Sequence, residues 1–355
     1  MVKKKRVTLP KDFGELVKAG DIEKLKAVYE KCELYAHDGR CERNTALHYS
    51  NVPDEFVRWL TEQGLDVNVE NYYGRSPLDR HAALGDNTVK LLFELGADVE
   101  RVDRYGNSPL HTAASFFHSN TVRFLVEKGA DVYLKNDMDQ TPLASCLAVC
   151  SNLNIPEVAE IADILLQAGD KVTLDMIESV KRIGQDFEFH REDFNKNYLS
   201  ETDLSLKKLY LLFEVEPVEK RRIHDGVSPI IVENSSWEKQ YNMLWDFLVP
   251  SSGVAKTVQG EVIRITGRIR DELYRNGGTN WDKDYQKMLD ALLVHFASGT
   301  SLSECELNEI RKLTTSIRAK GDVDEEITDC LCEFAVQWVL KNPNPISLNK
   351  PSYDR

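Results

Sequence analysis

The residues best suited to chemistry in this sequence are histidines and cysteines in its first half. Histidine is the commonest general base near neutral pH, and His48 and His111 each follow a leucine in two similar strings, Thr-Ala-Leu-His and Ser-Pro-Leu-His. Cys32, His37, Cys41 and His48 lie within seventeen residues and carry zinc-binding side chains, but their spacing fits no familiar zinc finger. We therefore predict no metal site.

A second candidate for chemistry is the string Ser252-Gly-Val-Ala-Lys-Thr257, which is similar to the end of a phosphate-binding loop. The residue before the lysine is Ala255 rather than glycine, and the upstream glycine is missing. We interpret the string as the start of a helix, with Ser251 or Ser252 as its N-cap. The common nucleophile, metalloprotease, calcium and dinucleotide motifs are absent from the sequence, so we predict no catalytic residue and no cofactor.

Composition restricts the classes of partner and compartment. The 355 residues carry 45 basic and 58 acidic side chains, and a net charge of −13 argues against a nucleic-acid partner. The exception is a basic N-terminal arm, residues 1–10, which we expect to be solvated. Seven cysteines without an apolar leader favour reduced thiols and a cytoplasmic protein, and no apolar stretch suggests membrane insertion.

The elements that position these residues come from an internal repeat. Similar strings place their leucines at positions 47, 78, 110 and 143, which gives a period of 31 to 33 residues. Within each period a Thr or Ser hydroxyl can cap a helix, Pro suits its first turn, and a later Gly can end a second helix. An extended segment then leads to a turn, as at Tyr73-Gly74 and Tyr105-Gly106. One such unit cannot bury its own apolar face, so the units must stack.

This pattern resembles the ankyrin repeat family, most closely in Gly106-Asn-Ser-Pro-Leu-His-Thr-Ala-Ala114 followed by Gly129-Ala-Asp-Val132. The resemblance implies an all-α solenoid of stacked helix pairs. It also implies that His48, His111 and His118 are structural, because the histidine of such repeats hydrogen-bonds the turn backbone rather than acting as a base.

Departures from the pattern predict where the array is irregular. Phe13–Tyr29 lacks the turn motif and is expected to be an N-terminal capping helix pair. Asn51-Val-Pro53 should shorten the first helix of the next unit. His81 stands where the family has a small alanine, which requires local rearrangement. Beyond Val172 the period fades, and two further helices are predicted to cap the array.

We divide the chain into five segments: a basic arm (1–10), an ankyrin-like array with its caps (11–214), a linker (215–235), an α-helical bundle (236–341) and a tail (342–355). Five stripes of apolar residues at helical spacing predict the bundle. The segment Val249–Glu261 resembles uncharacterised helical domains of bacterial proteins, which favours a bacterial source. The fold class is therefore all-α, a repeat solenoid followed by a helical bundle.

The most informative functional feature is the surface that the outward turns and first helices of the array would form. Such repeat surfaces usually bind protein, and Tyr and Arg often anchor interfaces. We therefore predict a non-catalytic protein-protein interaction module with a protein partner. Its candidate contact residues are Tyr72, Tyr73, Arg75, Arg80, Leu84, Arg104, Tyr105, Asn107, Ser115, Phe116, Met138 and Gln140.

Two alternatives remain open at this point. The protein could be a bacterial toxin-immunity or effector protein that binds one specific enzyme, which a neighbouring toxin gene would favour. It could also be an enzyme whose activity lies in the helical bundle. A deep polar pocket with a perturbed acid or base would favour that alternative, and a filled apolar bundle would argue against it.

Overall fold

The computed structural model describes residues 4–320 and 325–353. In this part of the chain helices dominate and the sheet content is one pair of short strands, so the all-α fold class is confirmed. The chain divides into two compact units: Met1–Phe187 with Asn195–Val218, and Glu188–Phe194 with Glu219–Arg355. No helix among the described residues is long and apolar enough to cross a membrane.

The first unit begins with a strand and a short helix pair. Strand β1 (Arg6–Thr8) precedes α1 (Phe13–Ala19) and α2 (Ile22–Lys31), and β2 (Cys32–His37) runs parallel to β1. The helix pair lies where the sequence predicts an N-terminal cap. The basic arm is different from the expected solvated segment, because its described residues pair with β2 and bury Leu9. Residues 1–3 of the arm lie outside the described residues.

The repeats follow as helix pairs, and the first helices of three of them begin with the same arrangement of residues. The helices are α3 (Asp54–Glu62), α4 (Pro77–Leu84), α5 (Thr88–Glu94), α6 (Pro109–Ser115), α7 (Ser119–Glu127), α8 (Pro142–Val149) and α9 (Ile155–Gln167). The side chains of Ser76, Ser108 and Thr141 cap α4, α6 and α8, and a proline follows each cap. The leucine after each proline is fully buried, as the period predicts.

The second repeat of the array, which begins at Thr45, is irregular where the sequence predicts it. Its first helix is a single 3-10 turn, Ala46–His48, so the carbonyl of Leu47 lacks a partner in its own helix. The ring of His81, fully buried in α4, supplies that partner: its Nε2 donates to Leu47 O at 3.0 Å. Its Nδ1 lies 2.8 Å from a carboxylate oxygen of Asp86. The buried histidine thus joins α4 to the shortened helix.

Two longer helices complete the array. They are α10 (Leu174–His190) and α11 (Lys196–Leu212), and α11 packs against α9. These are the two helices that the sequence predicts after the period fades at Val172.

The second unit contains the helices α12 (Trp237–Leu248), α13 (Val258–Tyr274), α14 (Lys283–Phe296), α15 (Glu304–Lys320) and α16 (Glu325–Lys341). Helix α13 is central and packs on α12, α14 and α16. The N-cap of α13 is Thr257, whose hydroxyl accepts from Gly260 N. The expectation that Ser251 or Ser252 caps this helix was wrong, because the helix begins five or more residues later, at Val258.

The segments on either side of the bundle also pack within the second unit. His224 N donates to Phe247 O at 2.8 Å, which anchors the segment treated above as a linker. The segment treated as a tail is held by the fully buried Gln259, whose amide donates to Asn342 O at 2.9 Å and Asn344 O at 2.7 Å. The two contacts of Gln259 join residues more than eighty positions apart in sequence, so local patterns do not reveal them.

Candidate partner-binding surface

The candidate surface is built on the hairpins that connect successive repeats, and three of them close in the same way. The side-chain Oδ1 of Asn71, Asp103 or Asn136 accepts from the backbone N–H groups two and four residues later, at 2.9 to 3.1 Å. Gly74 and Gly106 take the left-handed conformation that these turns require, with φ of 75° and 74°. The hairpin tips are therefore fixed from inside each turn.

Backbone hydrogen bonds also join each hairpin to its neighbour, so that the tips form one continuous row. These bonds run from Tyr72 N to Glu42 O (2.7 Å), from Arg104 N to Tyr73 O (3.1 Å) and from Asp137 N to Tyr105 O (3.0 Å). A side chain on one tip is consequently held at a set distance from the side chains on the next, and a preorganised surface loses little entropy on binding.

The repeated histidines brace these hairpins from below. The Nε2 of His48 lies 3.0 Å from Arg75 O, and that of His111 lies 2.9 Å from Gln140 O. A carbonyl only accepts, so each Nε2 carries the proton. Burial lowers the pKa of His48 to about 4 and lowers that of His111 too, which keeps both rings neutral. Each Nδ1 therefore accepts from the hydroxyl three residues earlier, that of Thr45 or Ser108, 3.0 Å away. This is the structural role that the resemblance implies, and His118 shares it by donating to Ala83 O.

The third repeat has an aspartate where its neighbours have that histidine. Asp79 is buried, accepts a hydrogen bond from the Thr112 hydroxyl, and faces the Arg75 Nε at 3.6 Å. The same Arg75 nitrogen lies 3.6 Å from the buried carboxylate of Asp103. Burial raises the pKa of Asp79 to about 6, against the hydrogen bond from Thr112 and the charge of Arg75. The cluster places the Arg75 side chain over two carboxylates.

The sequence-predicted contact residues differ in exposure. Tyr72, Tyr105, Phe116 and Met138 are exposed at 48, 56, 53 and 72%. Arg104 is also exposed and lies over the Tyr72 ring, 4.7 Å from its centre. The half-buried members of the set are Tyr73, Arg75, Arg80, Leu84, Asn107, Ser115 and Gln140.

The predicted residues fall into two groups. Tyr72, Tyr73 and Arg104 meet at the hairpin tips 71–75 and 103–107, where the two tyrosine rings lie 5.5 Å apart, edge to face. Leu84 and Phe116 mark the C-terminal ends of the first helices α4 and α6. Two half-buried members also serve the fold: Asn107 Oδ1 accepts from Asn136, and Gln140 Oε1 from Ser145.

Near the end of the array the surface has a groove of about 230 Å³. Its lining includes Met138 and Gln140 of the hairpin tip 136–140 and Thr173 and Met176 of the following segment. A groove of this size can take one side chain of a partner but is smaller than the usual pocket for a small-molecule ligand.

Sequence reasoning missed the charged residues beside this surface. Asp79 and Asp103 are acidic residues in a helical first turn and a loop, positions that usually indicate solvation, and only the stacking of repeats buries them. Arg43 lies on the first hairpin, 6.0 Å from the centre of the Tyr72 ring. The step of 31 residues aligns Arg43 with Gly74 and Asn44 with Arg75, so the repeat pattern gives no signal that would have pointed to Arg43.

The cysteines and histidines considered for metal binding are far from a common site or already hydrogen-bonded. In the set considered for zinc, Cys32 is buried, Cys41 is exposed, and both ring nitrogens of His48 have hydrogen-bond partners. In the part of the chain that the structure describes, no group of three or more His, Cys, Asp or Glu side chains is placed to hold a metal ion.

A family model for ankyrin repeats, in three copies, matches residues 15–103 and 81–175. The overlapping matches span α1 to the start of α10, which is the region of stacked hairpins and helix pairs described above. A search of curated proteins gives no match to the chain.

Proposed function

Because the N-terminal region is an array of ankyrin repeats, we propose that the protein binds a protein partner through the hairpin tips and adjoining first helices of its first unit. Ankyrin repeats generally serve protein-protein interaction and are generally non-catalytic. The observation that carries the assignment to this surface is the row of exposed Tyr72, Tyr105 and Met138 on tips that are hydrogen-bonded to one another. Large apolar groups in a rigid, solvated row are typical of interface anchors.

Two buried charged residues of the second unit are arranged as a structural ion pair. Glu261 and Arg264 are fully buried and paired at 2.7 Å. The carboxylate also accepts from Ala255 N at 3.0 Å and from the Tyr353 hydroxyl at 2.7 Å. Burial alone would raise the pKa of Glu261, but the hydrogen bonds and charge of Arg264 outweigh it and keep that pKa below its usual value. We therefore assign this pair to folding rather than to acid-base chemistry, and propose a non-catalytic second unit.

We also propose that the protein works in a reducing cytoplasm. All seven cysteines are free thiols. Burial raises the pKa of Cys146 and Cys150, so neither readily forms the reactive thiolate. A reducing compartment keeps such thiols intact.

The test of the binding function is affinity purification of the full chain from its source cells, with mass spectrometry. The surface variant is Tyr105→Ala with Phe116→Ala. The control is Tyr198→Ala with Leu211→Ala, which removes side chains that are 58 and 71% exposed on α11. We expect the wild type and the control to recover the same protein and the surface variant to lose most of it. Equal recovery by all three, or no protein recovered by the wild type, would contradict the proposal.

A further inference from the structure

The arginines of the array divide into two sets according to the face they occupy. On the helices and loops away from the tips, Arg58, Arg101 and Arg123 each pair with a glutamate about one repeat away. The distances from guanidinium nitrogen to carboxylate oxygen are 3.1 Å for Arg58–Glu94, 2.5 Å for Arg101–Glu70 and 2.8 Å for Arg123–Glu160. Because the chain has more acidic than basic side chains, each arginine is expected to pair with a carboxylate.

The arginines around the hairpin tips are different. Within the described residues, the side chains of Arg43, Arg80 and Arg104 have no carboxylate within 4 Å. The buried Nε of Arg80 makes no hydrogen bond there, and neither does that of Arg75. We name Arg43, Arg75, Arg80 and Arg104 the arginine patch.

The members of the patch belong to one local surface. Arg43 and Arg104 both lie over the ring of Tyr72, and Arg75 and Arg80 both act on the charge of Asp79. The carboxylates of Asp79 and Asp103 are buried beneath Arg75, so the charge that a partner meets is the guanidinium layer. Leaving Arg43, Arg80 and Arg104 without carboxylates, in a protein of net charge −13, is best explained by carboxylates that a partner brings.

We propose that the segment of the protein partner that contacts this surface is acidic, and that its Asp or Glu side chains pair with the arginine patch. This inference rests on the proposed function and adds the chemistry of the partner. Arginine suits this task because its planar guanidinium can bind a carboxylate through two parallel hydrogen bonds.

An acidic protein segment fits the patch better than a nucleic acid does. The patch is bounded, because the next hairpin exposes Asp137, which would repel a long polyanion. The Arg104 guanidinium lies over the ring of Tyr72, so a base would have to displace it to stack on that face. A short run of carboxylates meets neither obstacle.

The test uses the full-length protein and a random library of 12-residue peptides displayed on phage. We expect the peptides enriched by the wild type to carry net negative charge. The best of them, synthesised with a fluorescent label, should bind at least about tenfold more weakly to Arg80→Ala with Arg104→Ala, as for interface anchors. The matched control, Arg58→Ala with Arg123→Ala, removes the same charge from paired arginines and should change the affinity less than about twofold.

The possible outcomes separate this inference from the proposed function. Enriched peptides that are neutral or basic, but whose binding is lost in Tyr105→Ala, would overturn the acidic partner and leave the binding surface standing. Equal weakening by both arginine pairs would show a general charge effect and overturn the patch. Tighter binding of a 12-nucleotide oligothymidylate than of the best peptide would overturn the acidic segment in favour of a nucleic acid. No enriched peptide at all would contradict both proposals.

Discussion

Replacing Asp79 by asparagine is expected to stabilise the array at neutral pH, because the native carboxylate is buried against its preference for water. Its pKa is about 6 in the folded protein and 3.8 ordinarily. Between these values the unfolded chain has lost the proton while the folded protein still holds it. The free energy of unfolding therefore falls by about 1.4 kcal/mol for each pH unit as the pH rises from about 4 to about 6. The total loss is about 3 kcal/mol and stays constant above that range.

Asp79→Asn removes this dependence and retains an oxygen that can accept from the Thr112 hydroxyl. We expect the variant to exceed the wild type by about 3 kcal/mol at pH 7.5 and by only about 1 kcal/mol at pH 4.5. The assay is hydrogen-exchange mass spectrometry on peptides from α4 and α6, which measures local opening in a two-unit chain whose global unfolding need not be two-state.

The control for Asp79→Asn is Asp139→Asn, which removes the same charge from an exposed side chain and should stay within about 0.5 kcal/mol of the wild type at both pH values. If Asp79→Asn were no more stable than the wild type at pH 7.5, or if its advantage did not shrink at pH 4.5, the reasoning would be refuted. The carboxylate would then be as well solvated by Arg75 and Thr112 as it is by water.

Three further substitutions have expected outcomes. His81→Ala removes the donor to Leu47 O and leaves a cavity, so hydrogen exchange in α4 should report a loss of about 2 to 4 kcal/mol. Gln259→Leu releases the C-terminal segment, whose backbone exchange should rise at least about tenfold while α14 stays protected. Gly85→Ala directs a methyl group against the His118 ring from a left-handed backbone, and should lower the melting temperature by several degrees, a cost above about 1 kcal/mol.

Each of these substitutions has a matched control. His190→Ala removes an exposed ring, and Gln286→Leu changes an exposed amide. Gly20→Ala imposes the same backbone strain, at φ 66° compared with 67° for Gly85, but with open space around the new methyl group. A variant that behaves like its control would contradict the contact assigned to it.

Local sequence predicted those parts of the fold whose causes are local. The Ser76 hydroxyl accepts from the backbone N–H three residues later, and Pro77 and Leu78 belong to the same turn. The start of α4 can therefore be identified from adjacent residues. The parallel pairing of Arg6 with Cys32 could not be predicted, because the short, largely exposed first strand has no alternating apolar pattern.

The candidate surface was predictable in position but not in chemistry. Tyr105 stands out from sequence because a tyrosine at an outward turn has no neighbour to bury it. Asp79 gives no such indication, since an acid in the first turn of a helix is ordinarily solvated. Its burial depends on Thr112 of the next repeat and on the placement of Arg75, which are properties of stacking rather than of spacing.

The most direct test of the central claim is a hydrogen-exchange footprint of the full chain bound to the protein recovered by affinity purification, compared with the free chain. Binding through the first unit predicts slowed exchange in the hairpins at 71–75, 103–107 and 136–140, with the second unit unchanged. Protection confined to the helices between 237 and 341, with those hairpins exchanging as in the free chain, would contradict it.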